Sequence, residues 1–426
     1  MKKFMVIWAG ELISMIGSGM TAFAVAVYVY QLSGSAAAVS LATLCAYLPA
    51  ILFNPIGGVL ADRYDRRLMM ILGDSLSIIG LLIILISIQT GIVGIFPILI
   101  GVAINSIFIG LLEPAYKATI TDLLTEEQYA KGSALLQMAG ASKYLISPFV
   151  AGLLLSIADI RLILILDIAT IFITVITIQL VRKNIPYVKP IKKQRHFLHE
   201  IKEGFKVLSF NKTVSQLIFL MACVCFFVGI IQTMIAPMIL AFANAKTLGT
   251  IESVSAVGML IGSIIISSVK MKGGYVKTLI LSFMTTGLFM ALVGTTTNVL
   301  LLIGYCFMFF LTLPFINTCA DVLLRMNIPN DVQGRAWGMI SILTQAGYVV
   351  AYSISGLLAE FLFEPLLGKE GVLASTVGQW IGTGQGRGIA FMLIITGLTM
   401  VICACLFGFK KTIKKMGSMS DEVVTR

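Results

Sequence analysis

The stretch GGVLADRYDRR, residues 57–67, packs five charges into six residues directly after a Gly-rich apolar run. In a chain that is 58% hydrophobic and only 12% charged, such density needs a reason. One reading is a solvated loop that stops a membrane helix. The other is a switch between helices, carried by Asp62, Arg63, Asp65, Arg66 and Arg67.

The rest of the chain sets the context for that choice. A soluble surface for 426 residues needs more charge than 31 Lys+Arg and 20 Asp+Glu supply. Apolar runs of about 20 residues recur instead, the length of a helix that crosses a bilayer core. Period-two strands are absent, so the backbone must be satisfied by helices. The chain therefore reads as an all-α polytopic membrane protein. Twelve spans fall near 4–32, 36–60, 69–89, 95–121, 132–157, 160–181, 212–241, 250–270, 278–297, 299–325, 336–363 and 387–409. Lys2 and Lys3 precede an apolar segment that runs to Leu32. That is too long for a cleaved signal, so it is the first span.

The formal charge of +11 would suit a nucleic-acid binder, but its distribution argues for a bilayer. With the N-terminus inside, most Lys and Arg fall in inner segments: residues 2–3, 63–67, 182–212, 270–277 and the tail. Lys246, Lys369 and Arg387 fall outside. This is the positive-inside pattern, with both termini cytoplasmic and no nucleic-acid partner. The seven cysteines include the pairs Cys223/Cys225 and Cys403/Cys405, each inside an apolar span without acidic or His neighbours. Residues i and i+2 point apart on a helix, so these are packing residues and no metal site is expected. His196 and His199 sit in a charged central segment and read as a solvated face.

That central segment, 182–211, divides the spans six and six. The expected organisation is an N-terminal bundle 1–181, a cytoplasmic linker 182–211, a C-terminal bundle 212–409 and a tail 410–426. Pro186 and Pro190 suit an extended linker start. Leu198, Ile201, Phe205 and Leu208 then recur at helical spacing against Glu200, Lys202, Glu203 and Lys206, an amphipathic helix for the inner membrane surface. The halves also match in sequence. Pro114 corresponds to Pro314, Asp122 to Asp321, Lys131-Gly132 to Arg335-Ala336 and Gly152 to Gly356. A duplicated six-helix unit places a substrate at the repeat interface and moves by alternating access.

With these residues in hand, the chain resembles the major facilitator superfamily. Gly58, Asp62, Arg63, Arg66 and Arg67 match its loop 2–3 motif G-x-x-x-D-R/K-x-G-R/K-R/K, with Asp65 where the motif prefers Gly. The D-R-x-D-R-R form, IWAGELISMIGS at 7–18 and the EGFKVL segment resemble the macrolide-efflux branch. ISPFVAG in span 5 resembles the antiporter signature G-P-x-x-G-G, with Ser147, Pro148, Ala151 and Gly152 at its positions. The resemblance implies a drug/proton antiporter of a bacterial cytoplasmic membrane, and that Asp62 and the arginines latch spans 2 and 11 in the outward-open state. The basic residue that drug/proton antiporters commonly carry in span 4 is missing from FPILIGVAINSIFIG.

Ionisable groups inside a span are costly, so each needs a function or a partner. Glu11 lies roughly 12 Å along its helix from Lys3, and Glu113 roughly 13 Å from Asp122. Lys143 lies roughly 16 Å past Gly132. A carboxylate in a low-dielectric cavity exchanges protons near neutral pH, and competition between proton and substrate is the minimal chemistry of antiport. Glu11 is the first candidate, having no basic residue within a turn; the alternative is a polar bond to another helix. Glu113 has Lys117 at i+4 and can pair with it. Lys143 can neutralise either carboxylate. Asp74 and Glu252 lie near span ends and read as anchors, whereas Asp167 lies deeper. Phe23, Tyr28, Tyr30 and Tyr144 either line a cavity or pack between helices.

The expected function is export of amphipathic, macrolide-like compounds by a monomer driven by the proton gradient, with no cofactor. Export of an endogenous metabolite, siderophore or lipid fits the same architecture. A non-transporting membrane partner fits less well, because loops and tail offer little docking surface. No enzymatic motif appears: H-E-x-x-H, G-x-S-x-G and a Walker loop are all missing.

Overall fold

The structure, a computed structural model, describes residues 1–91, 94–183, 212–268, 274–328 and 333–409. Most of the 182–211 linker with its His196/His199 pair, its amphipathic stretch and the 410–426 tail lie outside the described residues. Among the described residues, twelve helices are long and apolar enough to cross a membrane. In chain order they begin with α1 (Lys2–Ser33), α2 (Ala36–Arg63), α3 (Arg66–Gln89) and α4 (Ile95–Leu123). The fifth span is two helices, α5 (Tyr129–Leu145) and α6 (Ser147–Ile157), and α7 (Ile160–Lys183) follows. The second set comprises α8 (Lys212–Leu240), α9 (Ala245–Ser268), α10 (Tyr275–Val293), α11 (Val299–Asn327), α12 (Gln333–Leu358) and α13 (Arg387–Phe409).

Local chemistry sets the ends of these helices. Gly34, at φ 65°, ends α1 in the left-handed conformation, and the Ser35 side chain accepts from the Ala38 amide to start α2. Asn298 caps α11 through the amides of Leu300 and Leu301. Within spans, side chains on neighbouring helices serve backbone groups next to proline. Ser106 of α4 accepts from the Ala50 amide and donates to the Ala46 carbonyl, beside Pro49 of α2.

The span-5 reading as one continuous helix needs correction. Pro148 has no amide to donate, and the chain bends at Ile146 between α5 and α6. Both parts lie inside one apolar span, Lys131–Ile157, which is why the apolar run alone predicts a single helix. Past Leu358 the eleventh span continues through a π-helical turn, Ala359–Phe363, to Leu367.

The chain divides into two compact units, Met1–Lys193 with Ala243–Ser253, and Gln194–Phe242 with Val254–Arg426. In the first, α1 packs on α5, α6 and α7, while α3 packs on α4 and α7. In the second, α8 packs on α12 and α13, while α10 packs on α11 and α13. The pairings recur in the same order, as a duplicated unit requires. Pro114 and Pro314 both lie inside helices, α4 and α11. The second unit is held in part by buried hydroxyl pairs: Thr233 with Ser355 at 2.9 Å, and Thr286 with Thr312 at 2.6 Å. Tyr352 donates to Gln232 at 2.7 Å between α8 and α12.

Candidate functional site

Three carboxylates are buried in the first unit on three different helices. Glu11 of α1 is 3% exposed, Asp74 of α3 is 7% and Asp167 of α7 is 1%. Each keeps one oxygen, Glu11 Oε1, Asp74 Oδ2 and Asp167 Oδ1, without a hydrogen-bond partner among the described residues. They interact electrostatically in sequence, Glu11 with Asp74 and Asp74 with Asp167. Helix packing explains how they meet. Gly17 of α1 lies against α7 so closely that a Cβ there would stand 2.8 Å from Asp167 Oδ1. One turn further along α1, the Thr21 hydroxyl donates to Asp167 Oδ2 at 2.6 Å. The Thr174 hydroxyl of α7 donates to the Gly10 carbonyl at 2.9 Å.

The expectation that Asp74 is a water-reachable anchor is overturned by this burial. Counting from Arg66 places it near a helix start, but rotation decides its surroundings. Met70, Gly73, Asp74, Ser77, Leu81 and Ile84 form one buried stripe of α3 at helical spacing, and Asp74 falls inside it. That stripe is the signal available in the sequence. Glu252 is half-buried on α9.

Lys143 acts electrostatically on Asp167, and its stem lies against Gly19 of α1. Glu113 turns away from the cluster: Lys117 Nζ lies 2.6 Å from its Oε1, and Asn54 Nδ2 donates to its Oε2 at 3.1 Å. The local i,i+4 pair is therefore the observed state of Glu113. Tyr116, on the next turn of α4, is the residue that interacts with Glu11. Of the aromatics, Phe23 and Tyr30 are buried, Tyr28 is half-buried and Tyr144 is exposed.

The charged 57–67 stretch forms a brace. Arg66 donates to the Ala61 and Ala118 carbonyls at 3.3 Å each and to Asp122 Oδ1 at 2.7 Å, joining the ends of α2, α3 and α4. Asp65 caps α3 by accepting from the Arg67 amide at 3.0 Å, and its other oxygen takes Arg182 Nε of α7 at 2.9 Å. Arg67 is buried and Arg63 exposed, while the side chain of Asp62 lies outside the described residues. Gly58 is different again: a Cβ on it would meet nothing within 4 Å.

In the span-5 signature, Ser147, Pro148, Ala151 and Gly152 are all buried. Ser147 donates to the Ile16 carbonyl of α1 at 2.9 Å, four residues from Lys143. The Phe149 amide, left near the bend, donates to Ser253 Oγ at 3.0 Å. Gly152 lets the backbone of the 243–253 segment approach; a Cβ there would stand 2.7 Å from the Ala245 carbonyl. The bend thus carries Lys143 on one side and a close small-residue contact on the other. Chemically, the site holds three buried acids with a half-buried ammonium acting on one of them. Charge inside a span is costly, so each group needs a proton, a cation or a hydrogen-bonding partner.

Comparison with known proteins places the chain in a family and a fold. Residues 7–352 match the model of the Major Facilitator Superfamily. Macrolide efflux protein A of Streptococcus pyogenes is 29% identical over 371 residues, covering 84% of this chain and 89% of that protein. Macrolide efflux protein A of Enterococcus faecalis is 29% identical over 319 residues, covering 72% of this chain and 96% of its own. Among solved structures, the nucleoside transporter NupG superposes with a TM-score of 0.74 at 12% identity, covering 96% of this chain and 100% of NupG. That likeness concerns the fold.

Proposed function

Because the chain belongs to the Major Facilitator Superfamily, a family of transporters and not of enzymes, we propose that it is a secondary exporter of amphipathic, macrolide-like drugs. It works by alternating access, in exchange for protons, as a monomer in the bacterial cytoplasmic membrane. Both relatives named above carry macrolide efflux in their names, which supports the substrate class. The observation that carries the coupling is Glu11: 3% exposed, on the first span, with Oε1 unpartnered. A buried carboxylate with an unmet oxygen inside a span supports a proton- or substrate-binding role.

In this reading the 57–67 brace holds the inner ends of α2, α3, α4 and α7 together, while Gly58, Asp62, Arg63, Arg66 and Arg67 serve the gate. Ser147, Pro148, Ala151 and Gly152 supply the bend at which the fifth span moves. The proton gradient is the energy source, with no cofactor.

The test is proton movement in energised inside-out vesicles, followed with a pH-gradient dye as erythromycin is added. Vesicles lacking the protein set the baseline, since the drug is itself a weak base. Drug-dependent dequenching by wild type, lost in Glu11→Gln, is the expected outcome. A wild-type signal no larger than the baseline overturns drug/proton exchange. A wild-type signal retained in Glu11→Gln overturns the role of Glu11.

A further inference from the structure

We propose that Glu11 and Asp74 act as one site, a carboxylate pair on α1 and α3 that carries a single exchangeable proton, with Asp167 beside it under the electrostatic influence of Lys143. The proposal rests on the exporter reading and adds Asp74 as a coupling residue.

The register of the helices brings the two acids together. Ile7 of α1 and Met70 of α3 belong to one buried cluster, with Tyr116 of α4 and Ile178 of α7. Glu11 and Asp74 each follow by four residues, one turn further along the same faces. They therefore leave that apolar layer at the same level. Glu11 Oε1 and Asp74 Oδ2 are buried there, with no hydrogen-bond donor among the described residues.

The surrounding charges are committed elsewhere. On α5, Lys143 acts electrostatically on Asp167, whose Oδ2 accepts from the Thr21 hydroxyl. On α4, Lys117 is held by Glu113, and Tyr116 offers only a hydroxyl. Arg182 of α7 is held by Asp65, and Arg66 by Asp122. Lys3 and Arg67 lie two turns before Glu11 and Asp74 on their own helices, roughly 10–12 Å away. Arg63 is exposed at the end of α2. Asp167 of α7 adds a third negative group facing Asp74. Two carboxylates that act on each other at one buried level disfavour each other's ionised form, so we assign them one shared proton at rest. A cationic drug arriving at the pair replaces that proton, and the proton leaves to water.

The experiment uses purified full-length protein in detergent, in weakly buffered solution with a pH indicator. Erythromycin is the probe, with its binding measured separately as radiolabel retained and protein-free micelles as the baseline. Wild type is expected to release protons on drug addition. Asp74→Asn is expected to lose that release to baseline, as Glu11→Gln does, and the double variant to lose no more than either single one. Asp74→Glu keeps the acid and is expected to restore release, which also covers a failure of Asp74→Asn to fold. Wild-type-like release by Asp74→Asn, additive losses in the double variant, or no release by a folded Asp74→Glu each overturn the pair. Absence of release in wild type overturns the exporter reading beneath it, and is distinguished by that single control.

Discussion

Asp65 stands where the family pattern carries glycine, and its two oxygens do different work. One caps α3 through the Arg67 amide, and the other holds Arg182. Asp65→Ala removes both and is expected to lower stability by about 1–2 kcal/mol, the cap contributing about 1 and the partly exposed pair under about 1. Asp65→Gly restores the usual residue and retains much of the cap conformation, so its cost is expected to be roughly half as large. Thermal unfolding in detergent measures both; an Asp65→Ala protein that melts with wild type removes the brace from the account. Residues differ in how legible such roles were. Glu11 stood out because an acid within an apolar run has no neighbour on its own helix to explain it. The partners of Lys143 and Asp74 did not, because a sequence fixes depth along a helix but leaves the facing helices unknown. Asp74 was visible only through the stripe it shares with Met70, Ser77 and Leu81.

At the scale of elements, two glycines on inner spans have opposite environments. A Cβ on Gly17 runs into Asp167 and the Thr170 hydroxyl, whereas one on Gly58 meets nothing. Gly17→Val is therefore expected to separate α1 from α7 and cost about 1–3 kcal/mol of stability, read as a lower unfolding temperature. Gly58→Val is expected to leave that temperature unchanged. If the gate reading holds, it nevertheless loses drug-driven proton movement, because the space beside Gly58 is needed in another state of the cycle. Normal transport by a stable Gly58→Val protein would reduce residue 58 to ordinary helix surface. Span positions were legible because twenty apolar residues have one physical solution in lipid. The bend at Ile146 was signalled by Pro148 and still missed as an interruption, since hydropathy carries no information on a missing hydrogen bond.

For the whole molecule, the decisive quantity is where the bases lie along the chain. Lys and Arg crowd the segments at 2–3, 63–67 and 182–212, and each is separated from the next by an even number of spans. We propose that twelve alternating spans put both termini on one side and that the asymmetry in basic charge makes that side the cytoplasm. The proposed orientation rests on energetics that act during insertion, when loops rich in Lys and Arg resist translocation, so it needs no knowledge of packing. Two single-cysteine proteins in a cysteine-free background test it. Lys369→Cys sits between the last two spans and is expected to react with a membrane-impermeant maleimide in intact cells. Glu127→Cys sits between α4 and α5, exposed in the structure, and is expected to react only after permeabilisation. The reverse pattern would turn the protein over and, with it, the direction in which the Glu11 site must meet its proton. Labelling of both in intact cells would break the alternation of spans on which the orientation depends.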